Sequence, residues 1–304
     1  MTKIIDCTIR DGGHINGWNF SEKFVQSLYD TAVISNIDYF EIGYRYREQN
    51  TQWGNFAHCE DNFIKNLINI NEDCKISLMM DVGKSYAEDF CQCKKELTPI
   101  SLVRIATYAK TLDEAIVLCE EMKEKDYDVC LNLMAISNLS ENDFEKLSNW
   151  QNKKILDSVC FADSFGSFMP DDVEKYYTIL KNLDFENISF HSHNNLQLAF
   201  ANSIKAIELC FYSVDASVLG VGRCAGILPI ELILGYLSHQ NSKYTPLHYL
   251  KFIEQHHSEI QNGKWGYGLT SLLSGLKNQH PRKTAELINK SYSVEDIWFD
   301  KFEK

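Results

Sequence analysis

Residues 187–220, NISFHSHNNLQLAFANSIKAIELCFYSVDASVLG, hold the reading that decides the fold. NISFHSH (187–193) is short, apolar and rich in β-forming residues, as is SVDASVLG (213–220). Between them NLQLAFANSIKAIELC (195–210) repeats its apolar residues at helical spacing. A strand, a helix and a second strand in this order form a parallel βαβ unit.

The same unit extends towards the N-terminus. Further strand-like runs are KIIDCTI (3–9), DYFEIGY (38–44), KISLMMDV (75–82), SLVRIATY (101–108), DVCLNLMAI (128–136) and DSVCFAD (157–163), which makes eight in all. Consecutive starts lie roughly 25–40 residues apart, room for a strand, a loop and a crossover helix. Helical patterns fill the gaps at 21–36, 111–126, 140–150 and 171–183. Ser21 is the expected N-cap of the first, and Thr111 with Glu114 the capping box of the second. Eight β-then-α units predict an α/β protein with a (β/α)8 TIM barrel. A doubly wound sheet usually carries GxGxxG after its first strand, and GGHING (12–17) does not match it. No linker divides the chain. From about 241 the pattern turns to helix-like runs, HYLKFIEQHHSEI (248–260) and PRKTAELINKSY (281–292). A barrel over 1–240 and a helical extension over 241–304 packed on it are expected.

The chain has 304 residues, 44% of them hydrophobic, with 42 acids, 30 bases and a formal charge of -12. Without a basic block it is a poor nucleic-acid binder and offers no stripe to anionic lipid. No apolar run approaches membrane-spanning length, and MTKIIDCTIRDGG lacks a basic-then-apolar leader. The ten cysteines include no Cys-x-x-Cys; several, such as Cys130 and Cys160, sit inside apolar runs, and they are read as reduced core thiols of a cytoplasmic protein.

In a barrel of this kind the C-terminal ends of the strands build the site. The first run ends in Arg10-Asp11-Gly12-Gly13-His14, whose glycines are read as a tight turn close to a ligand. The seventh ends in His191-Ser192-His193. Alternation puts the two imidazoles on one face, a good pair for a divalent metal, and Asp11, beyond the intervening strand 8, can complete the set. One carboxylate and two imidazoles suit Mn, Co, Zn or Mg without choosing among them. Other strand ends supply Glu41, Tyr44, Arg45, Arg104, Asp163 and Ser164. Glu41 and Arg104 can form a buried pair that shapes the mouth. The segment Gly220-Val221-Gly222-Arg223-Cys224-Ala225-Gly226 either covers a bound anion or makes a tight β-to-α turn.

Arg10-Asp11-Gly12, His191-Ser192-His193 and the glycine-rich segment after strand 8, in this order, resemble the HMG-CoA-lyase-like (DRE-TIM metallolyase) superfamily, from Ile5 to about Glu231. Its members include HMG-CoA lyase, isopropylmalate and citramalate synthases and 4-hydroxy-2-oxovalerate aldolase. Arg-Asp-Gly-x-His, with His14, matches the aldolases; the lyases and acyl-CoA condensing synthases commonly carry Gln nearby. The resemblance implies that Asp11, His191 and His193 bind the metal, manganese first, with cobalt, magnesium or zinc as alternatives. It implies that Arg10 stabilises a pyruvate enolate and that His14 acts as base. Ser164, Glu41, Arg45 and Arg104 are then candidate substrate contacts, and Tyr267 a second proton donor. Tyr44, Arg45 and Arg47 are placed to meet a polar or anionic acceptor. The expected activity is aldol cleavage or formation of a 4-hydroxy-2-oxoacid, with a small 2-oxoacid and an aldehyde as partners and a homodimer as assembly. The competing readings are a CoA-ester lyase or synthase, disfavoured by His14, and a catalytically silent barrel. The second rests on Ile227, which stands where relatives often have a ligating Asn, so that water or Asn195 would have to substitute.

Overall fold

The computed structural model describes residues 1–240, 243–260 and 265–301. Eight strands form a closed, all-parallel barrel in sequence order: β1 (Lys3–Asp6), β2 (Tyr39–Tyr44), β3 (Lys75–Asp81), β4 (Ile100–Thr107), β5 (Asp128–Leu133), β6 (Ser158–Asp163), β7 (Ile188–Ser192) and β8 (Ser213–Ala216). Closure pairs Lys3 with Ser213 and Asp6 with Ala216. The fold is a (β/α)8 TIM barrel.

Its helices are α1 (Thr8–Asn16), α2 (Glu22–Ile34), α3 (Asp61–Leu67), α4 (Leu112–Glu124), α5 (Glu141–Asn149), α6 (Pro170–Asn182), α7 (Ala199–Glu208) and α8 (Ile230–Ser238). The order departs from the expected regular alternation twice. The first run breaks after Asp6, and IRDGGHI is helix α1 rather than strand end and turn. Between β3 and β4 there is only a short 3-10 turn, because Lys84–Pro99 is charged and lacks apolar periodicity. Ser21 caps α2 by accepting from Phe24 N. The expected box of Thr111 and Glu114 is absent; the Thr111 hydroxyl instead bonds to Tyr108 O and Thr107 Oγ1 in a 3-10 turn before α4.

Alternation sorts the strand residues. Ile5, Tyr39, Leu102, Cys130 and Cys160 form an apolar cluster with Cys7 and Ile227, in which burial pushes the Cys7, Cys130 and Cys160 thiols up. Two residues further along β2 and β4, and on the neighbouring β7 and β8, Glu41, Arg104, His191 and Asp215 share that inner face nearer the C-terminal mouth. All ten cysteines are free thiols.

Beyond the barrel come α9 (Leu247–Ile260), α10 (Leu269–Leu276), α11 (Pro281–Asn289) and α12 (Val294–Trp298). The expected extension also spans 241–242, 261–264 and 302–304, which lie outside the described residues. Phe252 of α9 meets Phe24 of α2 edge to face at 5.3 Å, and the buried Tyr249 hydroxyl donates to Asp6 Oδ2 at 2.6 Å. The α10–α11 turn lies over the mouth, where Ser137 and Ser167 donate to Asn278 Oδ1 at 3.2 and 2.7 Å. No described helix is long and apolar enough to cross a membrane.

Candidate active site

The site begins where β1 passes into α1. The Thr8 amide and hydroxyl both donate to Asp6 Oδ1, so the helix starts as soon as the strand ends. Its first turn buries Arg10 and Asp11 at the mouth, and Gly17, at φ +66°, closes its end. Trp18 then folds back, and its indole donates to Arg10 O at 3.0 Å.

Six buried side chains close into a ring. Arg10 Nε donates to Glu41 Oε2 at 2.7 Å and its Nη1 to Asp11 Oδ2 at 2.9 Å. Glu41 Oε1 accepts from Arg104 Nη1 at 3.0 Å, and Arg104 Nη2 donates to Asp215 Oδ2 at 2.7 Å. Asp215 Oδ2 is 2.9 Å from His191 Nδ1, and His191 Nε2 is 3.2 Å from Asp11 Oδ2. A carboxylate only accepts, so Nδ1 carries the proton towards Asp215, and the two flanking carboxylates hold the imidazole above its usual range against burial. Burial opposes ionisation of Asp11 and Asp215, yet the guanidiniums of Arg10 and Arg104 hold both carboxyls below their usual range.

Among the buried atoms here with no hydrogen-bond partner are Asp11 Oδ1, His191 Nε2 and His193 Nε2, which converge. Ligand atoms of these three residues lie within 4.8 Å of one another. Unpaired buried polar atoms are costly, and three convergent ones of carboxylate and imidazole type fit a divalent cation. His193 suits this further, since burial and the neighbouring His191 hold its imidazole well below the usual range, hence neutral. A Cβ on Gly222 would stand 3.0 Å from Asp11 Oδ1, so the loop after β8 lies directly on the group.

His14 follows Asp11 and Arg10 by three and four residues, on the same face of α1. Its Nε2 is 3.3 Å from the Tyr44 hydroxyl. Burial first, then the Arg223 charge, holds His14 well below the usual histidine range, so it is a free base at neutral pH. These groups open into a cleft of about 560 Å³ with a wall of Trp18, Tyr44, Tyr46 and Trp53.

Other expected contacts are placed differently. Glu41 and Arg104 are fully buried in the ring and hold Arg10 and Asp215, so they are not substrate contacts. Arg45 is turned away from the cleft: Nε donates to Cys59 O at 2.7 Å and Nη2 to Asp61 Oδ1 at 2.9 Å. Arg47 is paired with Glu88 and Asp89. The Ser164 hydroxyl accepts from Ala135 N at 2.8 Å and does not line the cleft. Tyr267 is 60% exposed and outside the cleft. Asn195 cannot replace a ligand, since its amide donates to Phe165 O and accepts from Ala225 N. Gly12 and Gly13 lie inside α1; a Cβ on Gly13 would fall 1.9 Å from the Trp18 ring, so close packing rather than turning needs glycine there. Asp215 was not singled out from sequence. Its signal is an acid in the otherwise apolar run SVDASV.

The sequence matches the HMGL-like family over residues 1–257. The 4-hydroxy-2-oxovalerate aldolase of Bacillus cereus is 27% identical over 244 residues, 79% of this chain and 71% of the relative. The oxaloacetate decarboxylase of Mycobacterium tuberculosis is 23% identical over 239 residues, 78% and 70% of the two chains. Among solved structures, the N-terminal domain of a Bacteroides vulgatus protein provisionally named an aldolase superposes with a TM-score of 0.86 at 32% identity, covering 98% of this chain and 99% of that one. A Bacillus subtilis HMG-CoA lyase gives 0.69 at 15% identity over 85% and 93%, a likeness of fold.

Proposed function

The chain belongs to the HMGL-like family, and on that premise we propose that it is a divalent-metal-dependent aldolase that cleaves or forms a 4-hydroxy-2-oxoacid through a pyruvate enolate. Its 4-hydroxy-2-oxovalerate aldolase relatives make it a carbon–carbon lyase. The observation that carries the reading is the set of three unpartnered buried ligand atoms beside Arg10 and an unprotonated His14.

Asp11, His191 and His193 would hold the ion, manganese first on the family resemblance, since the donor set itself does not choose. When bound, it supplies Lewis-acid stabilisation of negative charge on the keto oxygen of a 2-oxoacid. The protein does the rest. Asp215 fixes the His191 tautomer, and Glu41 and Arg104 fix Arg10, so its guanidinium is a preset positive charge where the enolate develops. His14 takes the proton of the 4-hydroxyl, oriented by Tyr44. The bond between C3 and C4 breaks, its electron pair stays on the pyruvate half, and the aldehyde leaves. C3 is then protonated to give pyruvate. β-Decarboxylation, the named activity of one relative, would yield the same enolate. It needs no base for a hydroxyl, and the placement of His14 against Tyr44 favours the aldol reaction.

The test is exchange of pyruvate methyl protons in D2O, followed by mass spectrometry with chelated enzyme and after adding Mn, Co, Mg or Zn. Exchange should require metal and fall about 100-fold or more in Arg10→Ala. His191→Ala should lose the metal itself by elemental analysis. Exchange that needs no metal, or that survives Arg10→Ala undiminished, would remove the reading.

A further inference from the structure

The cleft holds more positive charge than one 2-oxoacid can match. The chain carries a formal charge of -12, yet Arg10, Lys84, Lys110, Arg223 and Arg282 all line this space. Arg10 is matched by Glu41 and Asp11, and Lys84 by Asp81, the one acid among the described lining residues. The side chains of Lys110, Arg223 and Arg282 make no hydrogen bond or ion pair among the described residues. Arg223 Nε is buried and unpartnered, a position in which an N–H donor costs stability until something accepts from it. His280 reports the same field: burial, then Arg223 and Arg282, push it down to about 4, so both guanidiniums face one region. Arg282 stands in the first turn of α11, whose positive end adds to that field. The opposite wall is aromatic, with Trp18 and Tyr44 edge to face at 5.3 Å and Tyr44 stacked on Tyr46 at 4.5 Å.

A pyruvate carboxylate brings one negative charge, and three unmatched cations await it. We propose that the aldehyde half of the substrate carries its own anionic group, a phosphate or a carboxylate, held at the outer end of the cleft by Arg223 and Arg282 with Lys110 beside them. This deepens the aldolase reading and rests on it. It also replaces Arg45 and Arg47 as the acceptor-binding cations, since both are committed elsewhere.

Pyruvate is held constant and three acceptors are compared: propionaldehyde, glyoxylate and glyceraldehyde 3-phosphate. An anionic acceptor should exceed propionaldehyde in kcat/KM by about tenfold or more, and added salt should reduce that advantage. Arg282→Gln should lower the anionic-to-neutral ratio about 10- to 100-fold, mainly through the acceptor KM. Arg47→Gln, outside the cleft, should leave the ratio unchanged. Whichever anionic acceptor shows the Arg282-dependent advantage identifies the group. Equal kcat/KM for all three, or a ratio that Arg282→Gln does not move, overturns the proposal. A second readout is independent of turnover: calorimetric titration of the chelated protein with inorganic phosphate and with succinate, repeated in Arg223→Gln. If pyruvate exchange fails, the aldolase reading falls, while heat that depends on Arg223 still supports an anion subsite and its absence overturns it. If exchange succeeds and the acceptor ratio is flat, only the subsite falls.

Discussion

At the scale of single residues, the ring of Arg10, Glu41, Arg104, Asp215, His191 and Asp11 sets the character of the site. Two guanidiniums face three carboxylates, and the charge left over holds the His191 imidazole above its usual range against burial, a situation that equally favours a cation beside Asp11. The cost of the ring is moderated because nearly every charge has a short hydrogen bond. His14 gives a pH prediction. Its depressed pKa means that the neutral, proton-accepting form persists as pH falls through 6.5, so the acid limb of kcat/KM should lie below pH 6.5. A bound dication would act in the same direction. Arg223→Gln removes one lowering influence and should move the limb up towards 6.5; a limb that starts above 6.5 in the unmodified enzyme contradicts the base assignment. The grouping of Asp11, His191 and His193 was legible, because two imidazoles two residues apart on one strand share a face and the acid lies just after β1, beyond the intervening β8. Asp215 was not, because a lone acid in a strand shows its role only once Arg104 and His191 are brought to it. Tyr267, offered as a second proton donor, lies outside the cleft, and its own segment carries no period that fixes which way the ring points.

At the scale of elements, α1 is the instructive case. Two successive glycines each disfavour helix by roughly 1 kcal/mol relative to alanine, so IRDGGHI reads locally as a strand end and a turn. Packing overrides that preference: the Trp18 indole occupies the space a Gly13 side chain would need. Gly13→Ala should therefore destabilise the protein, by about 1–3 kcal/mol in urea unfolding, and depress activity by displacing Trp18 from Arg10 O. Gly235→Ala is the contrast, since its Cβ meets nothing within 4 Å inside α8, and it should stabilise by up to about 1 kcal/mol. Equal effects at the two positions would show that helix propensity, and not the indole, governs α1. The strands were legible because fully buried parallel strands are apolar throughout. The β3–β4 connection was not, since its charged sequence carries no period that distinguishes a helix from an irregular crossing.

At the scale of the whole molecule, eight evenly spaced runs sufficed to read the barrel, whereas the helices after it were only partly legible: α10 and α12 span only eight and five residues, too few turns to stand out. These later helices are tied into the barrel. The Tyr249 hydroxyl of α9 satisfies Asp6, the same carboxylate that starts α1. Tyr249→Phe leaves a buried oxygen of Asp6 short of a donor and should cost about 1–3 kcal/mol. Far-UV circular dichroism and tryptophan fluorescence should shift together in urea; two separated transitions would show that α9 and its neighbours unfold apart from the barrel. The charged ring has a counterpart in how the chain is made. Its members come from the β1–α1 junction, β2, β4, β7 and β8, so a nascent chain holds Arg104 and Glu41 long before Asp215 has left the ribosome. Until the last strand docks beside the first, Arg104 and His191 lack the carboxylate that joins them. Sealing the barrel and assembling the chemistry are one event, and a version of this enzyme split between β4 and β7 has no working half.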